Sequence, residues 1–323
     1  MKRLIPVFAL ALLAPFIAEI LFGATPLSRM VSLPPLILLY GGGAVSIREL
    51  ARRAPRPWTA VVCLGAAYGL IEEGMVMQTL FSPDLFGAAA CGLRFAGVNW
   101  VWAEGLLGYH AVWSIAIPIA LTELCFPQRR REPWLGRRGL AAALACYALG
   151  AASIGTVFRR IVTPNFRAPA TSLVVTAIVA AGLVVTALSR RPPVARLAKL
   201  PARVPTFWLA TGALVAAGLW MQLFRLPQFW RAGMRPLLPM TLAACLAAGV
   251  YRLLHRWSRA EWTAADRLEL TVGAIVGSSV CGALNIHEAS RFDRYGQAIC
   301  SIAVLAVLSL PAFSSRLTSP NSD

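Results

Sequence analysis

Runs of about twenty apolar residues, separated by short polar or Arg-rich connectors, recur along the whole chain. A helix that crosses a bilayer needs roughly 20 such residues, so the pattern predicts ten spans. They fall at 4–23, 33–48, 58–80, 100–126, 139–158, 170–188, 206–223, 236–254, 267–286 and 295–313. The first run has the charged start of a signal peptide, but it is longer than the usual apolar region of about 7–15 residues. It reads as a span, with cleavage as the alternative.

The connectors orient the bundle. RELARRAPRP (48–57), PQRRREPWLGRR (127–138), SRRPPVARLAKLPARVP (189–205) and HRWSRAEWTAADR (255–267) share one side if the N-terminus is cytoplasmic. All four are rich in Arg, as cytoplasmic loops are. The opposite loops are less basic, although RRIVTPNFR (159–167) and RLPQFWRAGMR (225–235) dilute the contrast. The expected fold is all-α: a polytopic transmembrane helix bundle of about ten spans, with both termini cytoplasmic. It forms one integral membrane domain over residues 1–323, placed in the cell membrane.

Composition agrees. Of 323 residues, 58% are hydrophobic and only 14% charged, against about 25% charged in soluble domains; the mean hydropathy is +0.64. The net charge of +17 does not signal nucleic acid, because the basic residues cluster at span ends. The expected partner is the lipid bilayer; protein partners are not legible. Lys occurs only at positions 2 and 199, and the excess of Arg, Ala, Gly and Pro suggests a GC-rich bacterial genome. Seven scattered Cys show neither a disulfide framework nor a zinc ribbon.

Chemistry concentrates in spans 1–4 (residues 1–126), whereas spans 5–10 (139–313) read as mostly apolar scaffold. LGAAYGLIEEGMVMQTLF places Glu72 and Glu73 together inside span 3. Counted from the expected cytoplasmic ends, Glu19, Glu72, Glu73 and His110 all lie about 21–24 Å deep at 1.5 Å per residue. That is the outer third of a core about 30 Å thick. Burying each charge costs a few kcal/mol, so contact between them is favoured over isolation. Asn99, His110 and Ser114 share a face of span 4. Gln78, Glu104 and His287 lie nearer the outer surface as supporting candidates. Each has a plainer reading: Glu19 bonding to Tyr40 or Arg29, Glu104 solvated, His110 a hydrogen-bonded core histidine. Glu72 and Glu73, about 100° apart on an α-helix, are not expected to face one partner. The triple glycine Gly41–Gly43 reads as a tight packing point.

Three functional readings follow. In a metal-dependent hydrolase, Glu73 and His110 would be zinc ligands and Glu72 the general base on a bound water. The third ligand would come from His287, Glu19 or Glu104. In a proton-coupled transporter or carrier, Glu72, Glu73 and His110 would relay protons or bind a cationic solute. In a structural or assembly protein the layer would only lock helix register.

IEEGMVMQ and GYHAVWS, about 40 residues of spans 3 and 4, resemble the CAAX-prenyl-protease-like (Abi/CPBP-type) intramembrane metalloproteases. That resemblance implies zinc and the same Glu72, Glu73 and His110 as site residues. Met77 and Gln78 stand where the family pair is followed by Arg, and Leu106 replaces a Phe. YGGGAVSIRELARR, LIEEG and YHAVWSIAIPIALTE also resemble uncharacterised multipass proteins of actinobacteria, which implies no activity.

Overall fold

A computed structural model of the chain describes residues 2–54, 56–83, 85, 92–189, 205–225, 234–257, 262–285 and 290–309. Ten helical rods account for most of them. They are α1 (Ile5–Leu21), α2 (Leu27–Arg52), α3 (Trp58–Val76), α4 (Trp100–Cys125) and α5 (Arg137–Val162), followed by α6 (Ala170–Ser189), α7 (Thr206–Arg225), α8 (Leu237–Trp257), α9 (Ala264–Asn285) and α10 (Arg291–Ser309). The protein is an all-α polytopic helix bundle. Among the described residues eight helices are long and apolar enough to cross a membrane. The expected first and last spans differ: α1 is an apolar helix too short for that class, and α10 opens with Arg291, Asp293 and Arg294.

The sheet content is one tight hairpin before α4, pairing β1 (Arg94–Phe95) with β2 (Val98–Asn99). Its turn, Ala96 and Gly97, has positive φ at both positions, the geometry a two-residue hairpin demands. Asn99 then caps α4, its side-chain oxygen accepting from Trp102 N–H at 3.1 Å.

Helices α1–α4 form the centre. α5 packs on α2, α6 on α3, and α9 on α4, while α7 pairs with α9 and carries α8 outside it. The outer helices leave apolar side chains uncovered, among them Val174, Ile178 and Val185 on α6 and Phe207, Val215 and Leu219 on α7. This is the surface a lipid environment tolerates.

Small residues set the spacing. A Cβ on Gly41 would stand 2.4 Å from the Ala11 carbonyl oxygen of α1, and one on Gly42 2.7 Å from the backbone N of Tyr147 on α5. Pro15, four residues after Ala11, has no N–H to give that carbonyl, so the α2 backbone lies against a group left open within α1. Gly150 repeats the device on α5, where a Cβ would meet Leu39 N at 2.3 Å. The triple glycine is therefore a three-helix junction, as its composition suggests. Gly273 and Gly277 likewise bring α9 onto the α7 backbone at Ala210 and Leu214, a small-xxx-small contact.

The Arg-rich end is closed by a buried ion network. Arg48 is fully buried. Its Nε donates to Glu123 at 3.1 Å, its Nη1 to Glu49 and to the Glu132 carbonyl, and its Nη2 to the carbonyls of Arg129 and Arg130. The guanidinium also lies 3.5 Å over the Trp134 ring. Arg52 grips Glu123 at 2.7 and 2.9 Å, and Glu49 accepts from the N–H groups of Trp134 and Leu135. The connector between α4 and α5 is thereby strapped onto the end of α2.

Two outcomes check this packing by unfolding in detergent. Gly150→Leu destabilises the fold by about 2 kcal/mol, because the obstacle is backbone, whereas Gly182→Leu, with open space around it, is near neutral. Arg48→Met costs about 3–5 kcal/mol, since it leaves Glu49 buried without its cation and Glu123 with Arg52 alone.

Candidate functional site

The helices that meet at the polar layer do not wind regularly there. Four stretches, Phe16–Leu21, Ile37–Gly41, Leu70–Val76 and His110–Ala116, adopt the wider π form. Each carries a layer residue: Glu19, Tyr40, the Glu72–Glu73 pair, and His110 with Ser114. Proline accompanies three of them: Pro15 precedes the first, Pro34 and Pro35 the second, and Pro118 follows the last. A proline removes one regular backbone bond and crowds the preceding turn, which favours local rewinding. Such π stretches recur at functional sites.

His110 is the hub. Its Nε2 lies 3.0 Å from Glu73 Oε1, and its Nδ1 lies 3.0 Å from Ser114 Oγ and 3.4 Å from Glu72 Oε2. The two carboxylates thus reach one imidazole, contrary to the expectation from a 100° helical step. Wider winding narrows the angle between neighbouring residues, and the ring offers a nitrogen on each edge. Thr79, just beyond the helix end, donates to Glu73. Glu72, Glu73, His110 and Ser114 are all buried.

A second limb joins from α1 and α2. Tyr40 donates to Glu19 Oε1 at 2.6 Å and Thr25 to Glu19 Oε2 at 2.6 Å, so Tyr40 is the Glu19 partner, as one sequence reading has it. Tyr40 and Tyr68 also present their hydroxyls towards Glu72. The rings of Tyr40, Tyr68 and Tyr109 surround His110 at 5.7–6.1 Å between centroids, and Tyr147 of α5 stacks beside Tyr68 at 5.7 Å. Glu72 Oε2 has His110 Nδ1 as its ion-pair neighbour, and among the described residues the buried Tyr147 hydroxyl has no hydrogen-bond partner.

The remaining candidates serve elsewhere. Asn99 is the α4 cap, three turns from His110. Gln78, two residues beyond α3, is in a left-handed conformation, φ 60°, and its side-chain oxygen accepts from Ala168 N–H. Glu104 is half-buried beside a separate cleft lined by Val101, Trp220 and Phe224. His287 lies outside the described residues. Among the described residues no three His, Cys, Asp or Glu side chains are grouped to hold a metal, and both ring nitrogens of His110 already face other groups.

Sequence reasoning passed over Tyr68, Tyr109, Tyr147, Thr25 and Thr79. Tyrosines inside apolar spans, one turn or less from an acid or imidazole, were the available signal for the first two. Tyr147 carried none, because the register of α5 on α2 is a tertiary fact. The Arg48–Glu49–Glu123 network has no comparable signal, because Arg48 and Glu49 fall in a connector and Glu123 lies within span 4.

A bundle of apolar helices around a buried polar layer defines a multipass integral membrane protein. The chain belongs to a family described as an uncharacterized membrane protein family, which matches residues 8–317. That match supports a multipass membrane protein and lends nothing to the protease resemblance. Comparison with curated proteins and with solved structures returns no match.

Single replacements rank the contacts. Ser114→Ala removes one hydroxyl from His110 and costs about 1 kcal/mol. Glu73→Leu, which strips both His110 Nε2 and Thr79 of their acceptor, costs about 3 kcal/mol or more. Unfolding midpoints in detergent give the order.

Proposed function

We propose that the chain is a proton-coupled carrier of the cell membrane, with Glu72, His110 and Glu73 as its proton-binding unit. The observation that carries this reading is the placement of both imidazole nitrogens between carboxylates of a single neighbouring helix. Three ionisable groups this close share protons as a unit. With imidazolium, one carboxylate and one carboxylic acid the unit is neutral; releasing a proton leaves one net negative charge in a low-dielectric layer. A cationic solute or a returning proton then restores neutrality, which is the coupling a carrier needs.

The surroundings favour exchange over mere anchoring. Among the described residues the buried Tyr147 hydroxyl beside Tyr68 has no hydrogen-bond partner, and an unpaired buried polar group costs about 1–3 kcal/mol. A polar solute seated beside it removes that penalty. Thr25, Glu19 and Tyr40 extend the polar line from the loop after α1 to Glu72. The hydrolase reading uses the same Glu73 and His110 with a third donor, for which His287 lies outside the described residues.

The test is flux. Proteoliposomes enclosing a pH-sensitive dye, given an imposed pH gradient, dissipate it faster than empty liposomes. Glu72→Gln and His110→Gln each reduce that rate at least tenfold, while Glu132→Gln, exposed at the opposite end, leaves it unchanged. Equal rates for wild type and Glu72→Gln overturn the proposal and leave helix locking as the role of the layer.

A further inference from the structure

We infer that protons enter the buried unit through Glu19, from the end of the bundle opposite the Arg48 strap, and that Tyr40 hands them on to Glu72. This route depends on the proton-binding role proposed for Glu72, His110 and Glu73, and adds an entry group and a side. Among Glu19, Glu72, Glu73 and His110, Glu19 alone is partly exposed; the others are 1%, 4% and 2% exposed. A proton arriving from solution therefore meets Glu19 first.

The side follows from the fold. α1 starts at the Arg-rich end, where Arg129 donates to the Arg3 carbonyl at 2.7 Å, so Glu19 lies towards the opposite end. Between the layer and the strap stand Ala44, Leu64, Ile115 and Ile119, all buried and apolar. At the far end the loop after α1 folds back over Glu19. Thr25 N–H donates to the Glu19 carbonyl at 3.1 Å, and its hydroxyl to Oε2 at 2.6 Å. α10 fixes both flanks of this loop. Gln297 Nε2 donates to the Leu21 carbonyl at 2.8 Å, and Asp293 accepts from the Ser28 N–H and hydroxyl at 2.8 and 3.0 Å. Between these clamps Ala24 is exposed and Thr25 partly so.

Tyr40 is placed to relay. Its hydroxyl donates to Glu19 Oε1 at 2.6 Å, its ring lies 6.1 Å from that of His110, and Glu72 is the carboxylate on its inner side. A phenol hydroxyl both donates and accepts. When a proton from solution converts the Glu19 carboxylate to the acid, the new O–H donates to Tyr40 Oη. Tyr40 then releases its own proton to the Glu72 carboxylate. Glu19 returns to the carboxylate, Tyr40 still carries one proton, and Glu72 has gained one. His110 and Glu73 act on Glu19 across the layer, and Tyr109 of α4 is tied by its hydroxyl to the neighbouring Ala18 carbonyl. Chains of acids and imidazole inside membranes serve as proton relays.

A pH jump on the full chain in detergent, followed through the infrared band of protonated carboxyl groups, tests the route. Glu19→Gln and Glu72→Gln each delete one component of the band and so assign it. Glu19→Gln keeps an acceptor oxygen for Tyr40 but carries no proton, and slows protonation of Glu72 about tenfold or more. Tyr40→Phe slows Glu72 to the same extent and leaves the rate at Glu19 unchanged, a split that loss of packing does not produce. Glu104→Gln, in the separate cleft, leaves the Glu72 rate unchanged. A wild-type rate at Glu72 in Glu19→Gln or Tyr40→Phe overturns the route, as does slowing of both acids in Tyr40→Phe. Proton flux in proteoliposomes separates the route from the carrier. No flux through the wild-type chain, with the pH-jump rates as expected, overturns the carrier and leaves the route standing. Wild-type flux through Glu19→Gln overturns the route and leaves the carrier. No titrating component at Glu72 overturns both.

Discussion

A carboxylate carried into the apolar centre of a bundle must have a partner within hydrogen-bond reach, because water is not there to solvate it. The Glu73–His110 contact at 3.0 Å meets that demand, and much of the central packing follows from it. α3 and α4 must lie close enough for the side chains to meet. Gly65, where a Cβ would stand 2.8 Å from Ala111 Cα, and Gly69, 3.0 Å from His110 Cβ, permit the approach. α1 and α2 then close the layer through Glu19 and Tyr40, held by the Gly41–Ala11 contact. Small residues therefore do more than fill space here: they set the distances over which the acids and the imidazole can share hydrogen bonds.

The two polar centres of the protein answer the same problem differently. At the Arg-rich end Arg48 has five acceptors, and Glu49 and Glu123 have both oxygens engaged. A saturated network of this kind is rigid, and removing one member strands the rest. The inner layer is less fully bonded, with a histidine shared between two acids and, among the described residues, a Tyr147 hydroxyl without a partner. Rigidity suits a strap that holds a connector against a helix end. Open hydrogen-bonding capacity suits a site that exchanges something, which is why the carrier chemistry is proposed for the layer and not for the strap.

Local winding links the two levels. Four helices relax into the π form at the height of the layer, and three do so beside proline. In an α-helix Glu72 and Glu73 would diverge; in the wider turn they converge on opposite edges of one ring. The prolines also leave backbone carbonyls without their regular donors, and Gly41 lies against one of these, Ala11. Irregular backbone is tolerated within a membrane protein where neighbouring helices cover it, and here α1, α2, α3 and α4 cover one another.

The hydrophobic pattern by itself determined the all-α bundle and the order of its helices, because chain length in apolar surroundings is a one-dimensional constraint read directly from residue runs. It also determined that Glu19, Glu72, Glu73 and His110 share a depth, since helical rise converts residue number into height. Gly41–Gly43 as a packing point was legible for a similar reason: small residues have few other uses there. Angular position was not legible. Whether two acids on adjacent residues meet one histidine, whether Asn99 caps a helix instead of joining the layer, and whether Tyr147 enters it from the apolar half all depend on rotation and winding. The Arg48 strap depends on a connector folding back across a helix end. Only the tertiary structure decided these, because depth along a helix follows from local geometry, whereas which faces touch is set by all the neighbouring helices at once.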